Sequence, residues 1–314
     1  MKVNLLHYPH LTVERELLPT VIAIGQFDGL HQGHQRVIAC AQRLADALGV
    51  SASVFTFIEH PRTILRPDRP VPQLTPWPEK LARLEKIGLD SCVAAHFTPD
   101  LAALAPEAFV TRILVGQLHA RGVVTGFNFH FGHKAAGNPE VLKALGDQHG
   151  FPVHVVQPIE GEGAVVSSSR IRELLATGQL AEANALLGYD YTLSGKVVHG
   201  DQRGRQIGFP TANLEVAPDK LLPAFGVYAC WVRIGDRRYA GVVNIGQRPT
   251  FNPPKLMIEA HVFDFAGDLY GQTLELSLVA RLRAEQAFPS IEALVEQIRA
   301  DCRQARGILG VGVA

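Results

Sequence analysis

In the first half of the chain, short apolar runs alternate with amphipathic stretches. Thr20-Val21-Ile22-Ala23-Ile24 is a β-branched run ending at Gly25, and Val37, Ile38, Ala41, Leu44, Ala45 and Leu48 then recur at helical spacing until Gly49. This predicts a buried strand feeding a helix. Apolar runs at Ala52 to Ile58, Cys92 to Phe97, Gly122 to Thr125 and Val153 to Gln157 alternate with helical patterns at Glu79 to Ile87, Pro106 to Leu118 and Pro139 to His149. The alternation is that of βαβ units on a parallel sheet. Two short helical patterns follow, Ser169 to Ala176 and Leu180 to Leu187, the second stopped by Gly188.

After Tyr189 the period becomes that of strands: Thr192 to His199, Phe209 to Glu215, Val227 to Ile234, Arg238 to Ile245, Leu256 to Phe263 and Thr273 to Ala280. Strands in such close succession predict a small closed antiparallel barrel, which leaves no exposed edge. Ser290 to Arg303 is expected to end the pattern as a helix, with Ser290 and Glu292 at its start and Ile291, Leu294, Val295 and Ile298 on one face. Two domains are expected, residues 1–187 and 188–314. There is no internal repeat, and Pro67 to Pro78 is a proline-rich loop.

Composition narrows the class. With 314 residues, 47% of them hydrophobic, the chain can fill two cores. Lys+Arg and Asp+Glu are balanced at 30 each, so there is no broad basic field for nucleic acid or acidic membranes. Cys40, Cys92, Cys230 and Cys302 lie far apart, which argues against a disulfide framework or a zinc site and suits free thiols in a reducing cytoplasm. Met1 to Pro9 has no apolar leader core, and no stretch approaches the length of a membrane span. The expected partners are small molecules, with no nucleic acid and no membrane; a weak homo-oligomer is compatible with the sequence, which does not fix the oligomeric state.

Two places carry candidate chemistry. Gly25-Gln26-Phe27-Asp28-Gly29-Leu30-His31-Gln32-Gly33-His34 joins the first strand to its helix, the junction at which open α/β sheets bind phosphates. Gly29 and Gly33 let backbone approach an anion, while His31 and His34 can stabilise charge on a transferring phosphorus. The plainer reading, in which the glycines make the turn and the histidines cap the helix, stands beside it. Ser167, Ser168 and Ser169 precede another helix that carries Arg172; they either cap it or, with Arg172, face a triphosphate.

The second place lies in the strand-rich half. The chain has no Gly-x-x-x-x-Gly-Lys-Ser/Thr run, so a kinase here needs another phosphate cradle. Gly200 to Gly208, with Gly204 between them, is a glycine-spaced loop whose N–H groups suit one. Thr211 and Asn213 are alternate residues offering two neutral oxygens, adequate for Mg²⁺ that keeps waters and substrate phosphates. Glu259, in a strand pattern, is on its own most simply an outward-facing strand residue, and beside that reading a candidate acceptor for the proton of an attacking alcohol.

The first run resembles the His-x-Gly-His signature of the nucleotidyltransferase superfamily, in the Gly-x-Phe-Asp-Gly-x-His-x-Gly-His form typical of bacterial bifunctional riboflavin kinase/FAD synthetases. The resemblance continues in order through Glu59-His60-Pro61-Arg62, Gly126 to Gly132, Val166 to Arg172, Gly195 to Gly200, Gly208-Phe209-Pro210-Thr211-Ala212-Asn213, Val243 to Phe251 and Glu259 to Phe265. It implies a Rossmann-like α/β nucleotidyltransferase domain, plus a small antiparallel β-barrel riboflavin kinase domain with a C-terminal helix. The implied activities are phosphorylation of riboflavin to FMN and adenylylation of FMN to FAD, with ATP, riboflavin, FMN and FAD as substrates or products and Mg²⁺ as cofactor. Carried over residue by residue, the catalytic set is His31, His34, Arg172 and Glu259. Nucleotide contacts fall on Gly25, Phe27, Asp28, Gly29, Gly33, Asn128, Ser167, Ser168, Ser169, Gly204, Gly208 and Thr211. Flavin contacts fall on His60, Pro61 and Arg62, and the metal on Thr211 and Asn213.

The chain departs from the family in two places. Ser169 stands where the family usually has Thr, and His130 and His133 stand where it often has Arg, leaving Lys134 as the permanent cation of that stretch. Two competing readings are a single-function cytidylyl- or pantetheine-phosphate adenylyltransferase with a β appendage, and a flavin-binding regulatory module. Retention of His31, His34, Thr211, Asn213 and Glu259 argues against both.

Overall fold

In the computed structural model, which describes residues 1–9, 19–161, 164–200, 203–248 and 255–312, the alternating first half folds as βαβ units. Asp201 and Gln202 of the expected phosphate loop, and Pro249 to Phe251 of one family block, lie outside the described residues. The strands are β1 (Lys2–Leu6), β2 (Thr20–Ile24), β3 (Ser51–Phe57), β4 (Ser91–Ala95), β5 (Ala120–Gly126) and β6 (Val153–Val156). They form one parallel sheet in the order β1-β4-β3-β2-β5-β6. Between them run α1 (Gln32–Leu48), α2 (Pro61–Leu65), α3 (Trp77–Ile87), α4 (Pro99–Ala102), α5 (Pro106–Phe109) and α6 (Pro139–His149). A short pairing of β7 (Glu160–Gly161) with β8 (Ala164–Val165) follows.

Both sheet faces are covered, as a parallel sheet requires. Val21 and Ala23 pack with Val37, Ile38 and Ala41 of α1, while Ile22 and Ile24 face the other side with Phe109, Ile113 and Leu142. The strand order turns back at β2: β3 and β4 lie to one side of it, β5 and β6 to the other. The crevice at the carboxyl end of β2 is thus the switch point where such sheets take ligands.

Three local features were not legible in the period. β1 is a short edge strand broken by polar Asn4, and α2 is a single turn with Pro61 at its start. The helix expected over Pro106 to Leu118 is α5 running into a π-helical stretch, Val110–Val115. There the Gly116 N–H reaches back five residues to the Thr111 carbonyl at 3.0 Å, a wider turn than a 3.6-residue period describes.

The chain forms two compact units, Met1–Ser168 and Ser169–Ala314. The second begins with α7 (Ser168–Ala176) and α8 (Leu180–Leu187), followed by β9 (Tyr191–Val198), a single turn α9 (Arg203–Gln206), β10 (Ala212–Val216), β11 (Gly226–Ile234), β12 (Arg237–Arg248), β13 (Lys255–Val262) and β14 (Thr273–Arg283). The six strands close a barrel in the order β10-β13-β12-β11-β14-β9, every neighbouring pair antiparallel. Alternate residues such as Tyr191, Leu193, Tyr228, Cys230, Val243 and Leu276 are buried completely. The final helix α10 (Ile291–Leu309) runs past the expected end at Arg303 to a left-handed cap at Gly310. It lies on β11, β12 and β14 and buries Val227, Ala229, Val242 and Phe263 against Ala305 and Leu309.

All four cysteines are free. Burial pushes the Cys92 thiol up to about 12 and the Cys302 thiol up to about 11. Among the described residues no helix is long and apolar enough to cross a membrane, and no three His, Cys, Asp or Glu side chains gather to hold a metal.

Candidate functional site

Beyond β2 the backbone turns sharply. Phe27, Gly29 and Leu30 all take positive φ, 50°, 85° and 40°; for Phe27 and Leu30 this is stored strain of the sort that gathers at functional loops. Buried hydrogen bonds hold the turn. The Asp28 carboxylate, 1% exposed, accepts from Leu74 N–H at 3.1 Å and Thr75 N–H at 2.9 Å. The Ser168 hydroxyl donates to the Asp28 carbonyl at 2.8 Å. Beneath, the fully buried Lys80 ammonium donates to the carbonyls of Gln26 and Phe57, both at 3.0 Å.

This frame sets the two histidines at the start of α1. His31 is the helix N-cap, and its Nδ1 accepts from the His34 N–H at 3.4 Å. The two rings stack with centroids 3.6 Å apart and planes 18° from parallel. Phe27 meets His34 edge-on at 5.3 Å. Gly33 leaves the ring its place, because a Cβ there would sit 3.1 Å from the His31 ring and press on it. Capping and phosphate-facing readings are thus compatible: the cap orients the rings at the positive end of the helix dipole.

The same unit contains an apolar pocket of about 760 Å³ lined by Ile24, Phe57, Pro61, Arg62, Phe97, Phe109, Phe129 and Phe131, with His130, His133 and Lys134 on one wall. Phe129 and Phe131 stack at 5.5 Å. Pro61 and Arg62 line it, whereas His60 caps α2, its Nδ1 accepting from Arg62 N–H at 3.2 Å. Asn128 is exposed just after β5, and His130 Nδ1 donates to its carbonyl at 3.0 Å. Ser167 and Ser168 belong to this unit, while Ser169 and Arg172, on α7, fall in the second.

In the second unit, cross-strand register builds the site. Asn213 of β10 pairs with Glu259 of β13, which pairs in turn with Asn244 of β12. Directly opposed residues share a face, so the carboxylate stands between two amides. Thr211, two residues before Asn213, enters from the turn Gly204–Pro210. There Phe209 N–H donates to the Gly204 carbonyl at 2.8 Å, and Gly208 has φ 84°. Gly204 permits this close approach: a Cβ on it would lie 2.3 Å from the Phe209 carbonyl oxygen and 3.4 Å from Thr211 Oγ1.

Two pockets meet here. One, of about 340 Å³, lies against α10 and is lined by Thr211, Asn244, Glu259, His261, Arg283, Phe288, Leu294, Ile298 and Asp301 among others. The other, of about 600 Å³, is lined by Arg205, Thr211, Asp268, Tyr270 and their neighbours. Thr211 lines both. On the far wall of the first, Arg283 forks onto Asp301 through Nε at 3.0 Å and a terminal nitrogen at 3.0 Å, and Gln297 donates to Asp301 at 2.8 Å.

Sequence reasoning missed Lys80 and Asp301. Each lies on an apolar stripe, Trp77-Lys80-Leu84-Ile87 and Leu294-Ile298-Asp301-Ala305, and a charge on such a stripe signals a buried, partnered group.

The family model of FAD synthetase matches residues 13–170 and that of riboflavin kinase matches residues 187–309. A bifunctional riboflavin kinase/FMN adenylyltransferase of Listeria monocytogenes is 39% identical over 308 residues, 98% of this chain and 98% of its own. The protein of that name from Escherichia coli K12 is 36% identical over 292 residues, 93% of each chain. A crystal structure described as a macrolide-efflux protein of Streptococcus pneumoniae is 33% identical, with a TM-score of 0.84, over 92% of this chain and 94% of that one.

Proposed function

Because the chain belongs to the family of bifunctional riboflavin kinase/FMN adenylyltransferases, we propose how its residues divide the two reactions. The enzyme phosphorylates riboflavin to FMN and then joins FMN to the AMP moiety of ATP, giving FAD and pyrophosphate. Residues 1–187 are assigned the adenylyl transfer and residues 188–314 the kinase reaction; in support, the FAD synthetase match ends at residue 170 and the riboflavin kinase match begins at residue 187, while the compact units divide earlier, between Ser168 and Ser169. Its partners are small molecules and its place is the cytoplasm, a reading supported by free thiols and balanced charge.

In the kinase site, riboflavin occupies the pocket under α10 and Mg·ATP the more polar pocket beside it. The flavin 5′-hydroxyl is neutral and needs a proton acceptor, a role that falls to Glu259. Thr211 and Asn213 offer a hydroxyl and an amide oxygen, donors that suit a hard cation. Gly200 packs directly on the Asn213 amide, where a Cβ would lie 2.3 Å from its nitrogen, and this contact helps to fix the amide that would offer its oxygen to the cation. Held there, Mg²⁺ would neutralise phosphate charge. Gly204 and Gly208 shape the loop that carries the phosphates.

In the adenylyltransferase site, the FMN phosphate attacks the α-phosphorus of ATP with no covalent enzyme intermediate. His31 and His34 stabilise the charge that develops there. Gly25, Phe27, Asp28, Gly29 and Gly33 form the turn that holds them, while Asn128, Ser167, Ser168 and Ser169 contact the nucleotide. The aromatic pocket with Pro61 and Arg62 takes the flavin, and His60 holds their turn. For Arg172 the support is the family motif.

The observation that carries the kinase assignment is the row Asn213–Glu259–Asn244 with Thr211 on the wall shared by two pockets. Glu259→Gln keeps the shape and removes the base. The variant is expected to bind riboflavin and Mg·ATP, to phosphorylate roughly 10²-fold more slowly or worse, and to adenylylate FMN normally. Unimpaired phosphorylation would reduce Glu259 to an ordinary strand residue.

A further inference from the structure

His261 lies on β13 two residues past Glu259, so both side chains stand on one face of the strand, and both line the pocket under α10. Its Nδ1 is 2.8 Å from the Pro210 carbonyl oxygen. A carbonyl only accepts, so Nδ1 carries the hydrogen. The ring is held edge-on between Phe209 at 5.5 Å and Phe263 at 5.7 Å.

This bond reaches Thr211 through one rigid unit. The Pro210 carbonyl and the Thr211 N–H belong to the same planar peptide, and the proline ring fixes φ at residue 210. Pinning that oxygen therefore sets the direction in which Thr211 leaves the turn. From the other side, Phe209 N–H is tied to the Gly204 carbonyl at 2.8 Å, and Gly204 leaves no room for even a Cβ. Phe209–Thr211 is thus clamped between a glycine and a histidine.

Resting on the kinase assignment above, we propose that His261 is a positioning residue for phosphoryl transfer, holding Thr211 at the wall between the flavin and nucleotide pockets through the Pro210 carbonyl. Losing the donor lets the Thr211 hydroxyl drift from Mg·ATP while the apolar lining that meets the flavin stays in place. The effect falls on the nucleotide side of the reaction.

The test uses the full chain and three variants. His261→Phe keeps a ring between Phe209 and Phe263 but has no donor, His261→Asn restores an N–H near the position of Nδ1, and Thr211→Ala reports on the kinase site itself. His261→Phe is expected to lose about tenfold in kcat/KM for Mg·ATP, the scale of one positioned hydrogen bond. Its FMN adenylylation should stay within about twofold, and because Phe keeps a ring at this position of the flavin pocket its KM for riboflavin should change less than its KM for Mg·ATP. His261→Asn should return to within about threefold of the parent enzyme. If Thr211→Ala is impaired yet His261→Phe matches the parent, the proposal is overturned and the kinase site stands. It is equally overturned if His261→Asn is as poor as His261→Phe, or if riboflavin binding, followed by flavin fluorescence, is lost in both, since ring packing would then be the whole role. Normal phosphorylation by Thr211→Ala would remove the kinase-site reading and this proposal with it.

Discussion

Replacing Asp301 with Leu should loosen α10 from the barrel and weaken the kinase pocket. Asp301 is 3% exposed and accepts a forked pair of bonds from Arg283, whose side chain is 19% exposed. Removing the carboxylate strands a mostly buried guanidinium, which costs about 3–5 kcal/mol in comparable pairs. Water reaches part of Arg283, so about 3 kcal/mol is the expected loss, or roughly 6–12 °C in melting temperature for a unit of this size. Leu294 and Ile298 line the pocket from the same helix, so KM for riboflavin should rise while FMN adenylylation is spared. Arg283→Leu combined with Asp301→Leu leaves no stranded charge and should recover most of the lost stability, because apolar replacement of a whole buried pair is often neutral. Calorimetry of the full chain with both single variants and the double variant completes the cycle. A single variant that melts within about 1 kcal/mol of the parent would refute the reasoning, as would a double variant no more stable than Asp301→Leu.

Three further outcomes are expected. His31→Ala with His34→Ala should stop FAD formation while FMN still accumulates from riboflavin, as separated by chromatography; normal FAD output would sink the assignment of the stacked histidines. Burial lowers the pKa of His261 from its usual value, with the hydrogen bond to Pro210 opposing and Arg306 assisting. The unfolded chain therefore takes up this proton first, and stability present above about pH 6.5 drains away as pH falls toward the lower folded value. Urea midpoints between pH 8 and pH 5 should show that slope reduced in His261→Asn, and equal slopes would contradict it. With its thiol pushed up to about 12, Cys92 should resist iodoacetamide at pH 8 in the folded protein; native-state alkylation of Cys92, read by mass spectrometry, would show that the strand core opens.

The sequence was legible where one period ran uninterrupted. Pro139–His149 and Leu180–Leu187 were readable to the residue, each with proline at its start or a left-handed glycine at its end to mark the boundary. It was less legible where tertiary contacts decide. The chemistry of Gly25–His34 can be read from residue types, but the ring stacking of His31 on His34 depends on the Asp28 anchor to Leu74 and Thr75, nearly fifty residues away in a proline-rich loop. Likewise Asn244 acquires meaning only from the register that sets it opposite Glu259. The aromatic pocket draws Phe57, Phe97, Phe109 and Phe131 from four separate segments, each of which alone is an ordinary core position.

The different demands of the two nucleophiles account for the contrast between the proposed sites. An FMN phosphate arrives already ionised, so adenylyl transfer needs hydrogen-bond donors and a helix dipole around the phosphates and no base. Gly25–His34 accordingly contributes two histidines on a helix N-terminus, and its carboxylate, Asp28, is committed to backbone N–H groups of Leu74 and Thr75. A ribityl hydroxyl arrives protonated, and the kinase half places a carboxylate, Glu259, in the strand row beside the threonine that borders both pockets. A carboxylate tied into the scaffold in one half and one set within the pocket in the other is the distribution these two chemistries require.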